Sequence, residues 1–185
     1  QEVTHLSAVA AAAVIGFPPI GVKARVSPVV LPLLIFTVAP ASTVESKSAI
    51  VADVIGFIEK LKAGPIDLIG HSRGGHIGFR VAQARPDKVK ALIAIEPAGL
   101  GDPAKADTLK NIPTLIVYGD YIEKDSRWPK IRANGIAFAD AIRAAGGSVD
   151  VVDLPQAGIK GNSHMVMMDK NNAEVAALIQ EWLEG

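Results

Sequence analysis

The chain has 185 residues, 49% hydrophobic but only 5% aromatic, with 19 Lys and Arg against 19 Asp and Glu. That length suits one domain with a sizeable core, and zero formal charge without a basic stripe argues against nucleic acid or an anionic membrane as partner. The absence of cysteine excludes disulfides, thiolate metal sites and a cysteine nucleophile, and leaves the compartment open.

Leu6 to Ile15 is apolar and alanine-rich, too short to span a bilayer, and no basic region precedes it as a signal peptide requires. It reads as a buried helix closed by Gly16 and Pro18-Pro19. A start at Gln1 fits processing or a piece of a longer chain. Val26 to Val38 is apolar but holds Pro28 and Pro32, and a proline removes a ladder donor, so an edge or interrupted strand is expected. No internal repeat or linker divides the chain. Residues 1–185 therefore read as one domain in which 1–47 are atypical.

From Ser48 the pattern is regular. Ser48 to Leu61 carries Ile50, Val51, Val54, Ile55 and Ile58 at helical spacing, and Lys62-Ala63-Gly64-Pro65 stops it. Ile66 to Ile69 is a short buried strand that runs into Gly70-His71-Ser72-Arg73-Gly74. Helix-compatible His76 to Ala84 follows and ends before Pro86. Strand, Gly-x-Ser-x-Gly, helix is the order of a nucleophile elbow. The turn is so tight that the serine is expected in a strained conformation, and a Cβ at either flanking glycine is expected to collide. The first N–H groups of the helix point to where negative charge develops in acyl transfer. A Gly-rich turn without chemistry would share these five residues. The surrounding order of helix, strand, elbow and helix favours the catalytic reading.

Val89 to Ile95 and Thr114 to Tyr118 read as buried strands, and Ile131 to Ala145 as a helix ended by Gly146-Gly147. Ser148 to Leu154 is a further strand and Asn172 to Leu183 an amphipathic helix. Strands alternating with helices predict an α/β fold, a mostly parallel sheet with helices on both faces. Sites in such folds lie at the carboxyl ends of the strands.

Three polar residues follow strand ends in addition to Ser72. Glu96 follows Ile95, Asp120 follows Tyr118-Gly119, and His164 lies in Gly161-Asn162-Ser163-His164-Met165. A serine hydroxyl needs a neighbouring base, histidine titrates near working pH, and a carboxylate holds the right tautomer. Serine, acid, histidine is the chain order of the α/β-hydrolases. His164 is the only histidine after the acids. Asp120 is the acid if Ile66–Ile69 counts as the fifth strand of that fold; Glu96 would then follow the sixth. Glu96 is also an odd residue to cap an apolar strand unless something pairs with it, while Asp120 fits an Asx turn with Gly119.

Leu109 to Leu183 resembles a group of bacterial serine esterases of the α/β-hydrolase superfamily. The matching segments are Ile112 to Asp120, Ser126-Arg127-Trp128 and Ala144-Ala145-Gly146-Gly147. Gly161 to Met165 followed by Asp169-Lys170-Asn171-Asn172 matches most specifically. In that group the acid is a glutamate after strand six, in a Glu-Pro dipeptide similar to Glu96-Pro97. The resemblance, over roughly the C-terminal 140 residues, implies an α/β-hydrolase fold with triad Ser72, Glu96 and His164 and favours Glu96 over Asp120. It also marks departures: Arg73 stands where the group has another residue. No His-Gly dipeptide precedes Ser72 to supply a second oxyanion donor beside the Arg73 N–H. Either an atypical loop around Ala39-Pro40-Ala41 is the substitute or the second donor is absent. The first strands of the full fold are expected to be reduced or missing.

The reading is a serine esterase acting on small-molecule esters, with no cofactor or metal and no stated oligomeric state. Alternatives are the same scaffold cleaving lactone, amide or C–C bonds, or a non-catalytic hydrolase-like binding domain or fragment. Tyr121 and Trp128 are candidates for a pocket wall or for packing under their loop. Met165, Met167 and Met168 are expected as core filler, with an adaptable acyl pocket as the alternative. His71 and His76 are not a convincing metal pair, and Lys88, Lys90, Glu123 and Asp125 are expected on the solvated surface.

Overall fold

A computed structural model describes residues 33–37, 44–62 and 64–185. The expected helix over Leu6–Ile15 and the Ala39–Ala41 loop lie outside the described residues, as do Pro28 and Pro32. Five strands form one parallel sheet in sequential order: β1 (Leu33–Thr37), β2 (Ile66–His71), β3 (Val89–Ile95), β4 (Thr114–Tyr118) and β5 (Val149–Asp153). Among the described residues, β1, which falls within the expected Val26–Val38 segment, lies at an edge of the sheet.

Helix α1 (Val44–Leu61) joins β1 to β2, α2 (Arg73–Ala84) joins β2 to β3, and α3 (Trp128–Ala144) joins β4 to β5. Helix α4 (Asn172–Glu184) follows β5. Alternation along the strands sends side chains to two cores. Leu68, Leu92, Ala94, Ile116 and Tyr118 face Val54 and Ile58 of α1, Ile77 of α2, and Phe138 and Ile142 of α3. Ile69, Ile93, Ile95, Leu115 and Val117 face Val175 and Ile179 of α4. Helices therefore cover both faces, and the architecture is the expected α/β-hydrolase fold. Fully burying a side chain such as Ile142 contributes about 1.5–3 kcal/mol, so each helix is held mainly by this stripe.

Three helices begin earlier than periodicity suggests. Helix α1 opens at Val44 rather than Ser48. Helix α3 opens at Trp128 rather than Ile131, because Pro129 lies in its first turn, where a missing N–H costs nothing. The Asp125 carboxylate also accepts the Arg127 and Trp128 N–H groups at 2.7 and 3.2 Å. Helix α2 opens at Arg73 rather than His76, since the elbow turns the chain directly into it.

Candidate active site

The ends of β2, β3 and β4 are neighbours in register, with His71 beside Ile95 and Ile95 beside Val117. The residues that follow these strands therefore gather at one sheet edge. Ser72 has φ 55° and ψ −118°, a conformation that costs on the order of 1–3 kcal/mol outside glycine. Hydrogen bonds hold it there: its N–H donates to Ile95 O at 2.9 Å, and its carbonyl accepts from Gly75 and Ala98 at 3.1 and 3.0 Å. A Cβ on Gly70 would lie 2.4 Å from the Gly74 carbonyl oxygen, so strand and helix pass too closely for any side chain. Gly75, just beyond the motif, is as constrained: its Cβ would meet Pro97 Cβ at 2.9 Å.

Ser72 Oγ lies 3.0 Å from His164 Nε2, and His164 Nδ1 lies 3.2 Å from Glu96 Oε2. Glu96 is 3% exposed and itself sits at φ 46°. Its other oxygen accepts the Gly119 N–H. Of the two acids considered, Glu96 is thus the one bonded to His164. Asp120 is committed elsewhere: its carboxylate accepts the Tyr121 and Gly161 N–H groups at 2.7 and 3.0 Å. Those two backbone bonds hold it below the ordinary carboxylate range, with the Gly161 bond the larger cause.

The loop that carries His164 is braced by the segment that follows it. Asp169 accepts both the Ser163 N–H at 2.7 Å and the Ser163 hydroxyl at 2.9 Å. Asn162, which is buried, and half-buried Asn171 exchange side-chain hydrogen bonds at 2.8 and 3.0 Å. Asp120 N–H donates to Asn162 O at 2.9 Å. The residues that match between Gly161–Met165 and Asp169–Asn172 are thus the two halves of one brace.

Two contacts to His164 were not anticipated. His71 Nε2 donates to the His164 carbonyl oxygen at 2.7 Å, and the two rings are 4.8 Å apart. The Trp128 ring is 4.7 Å from the His164 ring. Only the position of His71 before the serine hinted at the first. Trp128 also packs against the core around α3, the packing role expected for it. Tyr121 is exposed, with Lys124 over its ring at 4.5 Å.

The methionine expectation is corrected. Met165 and Met168 are exposed, Met168 at 76%, and only Met167 packs against a core. The single turn Val166–Met168 directs Val166 inward, while Met165 and Met168 turn outward. Lys90 lies 3.9 Å from buried Asp67, so it is less detached than a free surface lysine. Arg73 opens α2, which puts its N–H at the positive end of that helix. Among the described residues no group of three His, Asp or Glu side chains forms a metal cluster, and no helix is long and apolar enough to cross a membrane.

Comparison with known proteins agrees with this architecture. The family model described as alpha/beta hydrolase fold matches residues 39–126. The chain is 28% identical over 170 residues to "Probable secreted lipase phiG" of a fungal species, covering 66% of this chain and 47% of that protein. It is 27% identical over 125 residues to lipase LipV of Mycobacterium tuberculosis, covering 65% and 42%. The chain thus spans less than half the length of these curated relatives. Among solved structures, a bacterial esterase is 39% identical with a TM-score of 0.66, covering 72% of this chain and 42% of its own. Est1E from Butyrivibrio proteoclasticus, at 20% identity and TM-score 0.54, shares the fold.

Proposed function

We propose that this chain of the α/β-hydrolase superfamily is a serine hydrolase that cleaves small-molecule carboxylic esters through an acyl-enzyme. The observation that carries the proposal is the series Ser72 Oγ, His164 and Glu96, at 3.0 and 3.2 Å, on a strained elbow. Similarity to lipases and to a bacterial esterase supports an ester as the bond.

In this reading the Ser72 oxygen attacks the ester carbonyl carbon while His164 Nε2 takes its proton. The carbonyl oxygen becomes an oxyanion, facing the Arg73 N–H at the positive end of α2. Collapse expels the alcohol, which receives the proton from His164. Water then adds to the acyl group, its proton passing to His164, and the acid leaves as Ser72 regains its hydrogen. Glu96 keeps Nδ1–H oriented and stabilises each imidazolium. Lactones, amides and C–C bonds are the alternative substrates for the same groups.

The test is hydrolysis of p-nitrophenyl acetate and butyrate by the parent chain and by Ser72→Ala. A loss of about 10³-fold or more in kcat for the variant is expected. A folded parent with no Ser72-dependent turnover would sink the reading.

A further inference from the structure

His71 precedes the proposed nucleophile, yet its side chain serves another residue. It is 6% exposed at the end of β2, and its Nε2 lies 2.7 Å from the backbone carbonyl oxygen of His164. We propose that His71 is a positioning residue for His164, held as the neutral Nε2–H tautomer and locking the backbone that carries the base. This rests on the reading of His164 as the base of an esterase.

The tautomer follows from the partner. A carbonyl oxygen can only accept, so Nε2 must carry the proton. His71 Nδ1 is buried and has no hydrogen-bond partner among the described residues. A second proton there would make a buried N–H without an acceptor beside the His164 ring. Burial accordingly holds His71 below the ordinary histidine range, against the smaller opposing effect of its bond to the His164 carbonyl.

An orphaned buried nitrogen also bears on why this residue is a histidine. Leaving a polar atom unpaired in the interior is unfavourable. An aliphatic side chain would fill the space without that cost, so stability alone does not account for His71. What the imidazole supplies is a donor long enough to reach the His164 carbonyl, and a ring 4.8 Å from the base. The need is local. His164 lies in an irregular loop, its side chain is 36% exposed, and its Nε2 must stay within reach of Ser72. Trp128, with its ring 4.7 Å away, supplies a second contact to the same imidazole. Misplacing a reacting group by 1 Å costs about 10² in rate.

The experiment compares the parent chain with His71→Leu, His71→Gln and His71→Asn. Glutamine places an amide donor near the Nε2 position; asparagine is too short. Esterase kcat and KM, thermal midpoints, and histidine ring 15N–1H spectra are measured. Expected are a kcat about 10–100-fold lower in His71→Leu with KM within about twofold, a melting temperature no lower than the parent's, and recovery of at least about threefold in His71→Gln over His71→Asn. The spectrum of the parent at pH 7 is expected to show a protected His71 Nε2–H, and the His164 ring signals to broaden in His71→Leu. A His71→Leu kcat within twofold of the parent overturns the proposal, as does a loss that follows the melting temperature without rescue by glutamine. If His71→Leu does not fold, the comparison of glutamine with asparagine decides. If the parent shows no Ser72-dependent turnover, the esterase reading fails by itself, and the spectra decide whether His71 holds His164.

Discussion

Glu96 and Gly119 are joined across the ends of two neighbouring strands: one carboxylate oxygen accepts the Gly119 N–H, which leaves the other facing His164. The close approach depends on glycine, because a Cβ at position 119 would lie 2.9 Å from Glu96 Oε1. The strand β4 therefore takes part in orienting the acid, although it carries none of the three proposed catalytic side chains.

The two acids separate by mutation. Glu96→Gln is expected to lower kcat by about 10² or more, since the amide favours the wrong tautomer of His164. Asp120→Asn loosens a tie to Gly161 and is expected to cost about tenfold or less. Steady-state hydrolysis of p-nitrophenyl butyrate checks both. A larger loss at Asp120 would transfer the role to that residue.

Gly119→Ala tests the same relationship from the backbone side. Its methyl group displaces the Glu96 carboxylate from Gly119 and His164, and kcat is expected to fall by about 10–100-fold while KM changes little. Paired kcat and KM values give the answer.

Tyr118 and Gly135 define a packing constraint away from the chemistry. The Tyr118 hydroxyl is buried without a hydrogen-bond partner among the described residues, and burial raises its pKa well above the ordinary phenol value. Tyr118→Phe removes the orphaned oxygen and is expected to leave stability unchanged or raise it by about 1 kcal/mol. A Cβ at Gly135 would lie 1.8 Å from that oxygen, so Gly135→Ala is expected to destabilise by about 1–3 kcal/mol. In the double variant part of the loss is recovered. Urea denaturation of the three variants measures all three values.

His71 contributes a pH dependence to stability. Burial lowers its folded pKa below the unfolded value of about 6.5. Between the two values the unfolded chain binds more protons, so stability falls as pH drops below about 6.5. After burial, the bond to the His164 carbonyl is the largest influence and raises its pKa, the charge of the His164 ring lowers it, and the Glu96 charge raises it. His71→Leu is therefore expected to lose less of its urea midpoint between pH 7.5 and pH 5 than the parent does.

The order of elements from Ser48 onward was legible because each carries its own local signal. Val89–Ile95 and Thr114–Tyr118 form strands at the expected bounds, since unbroken apolar runs suit a sheet covered on both faces. Where ends moved, as at Arg73 and Trp128, a turn or a proline extended the helix beyond its periodic stripe. Serine, acid and histidine at strand ends were also readable, because parallel strands bring their carboxyl ends to one edge.

Other features had no local signal. Glu96 and Asp120 both follow strands; the Glu96-Pro97 resemblance favours Glu96, but chain order by itself cannot say which carboxylate reaches an imidazole far along the sequence. That depends on where Gly161 and Gly119 place their N–H groups, each of which takes one acid. The contacts of His71 and Trp128 with His164 are likewise products of packing, as is the outward turn of Met165 and Met168. Periodicity reports which face of an element is apolar. Only the assembled edge of the sheet determines which polar groups meet there, because hydrogen bonds select partners by distance and direction in space rather than by separation along the chain.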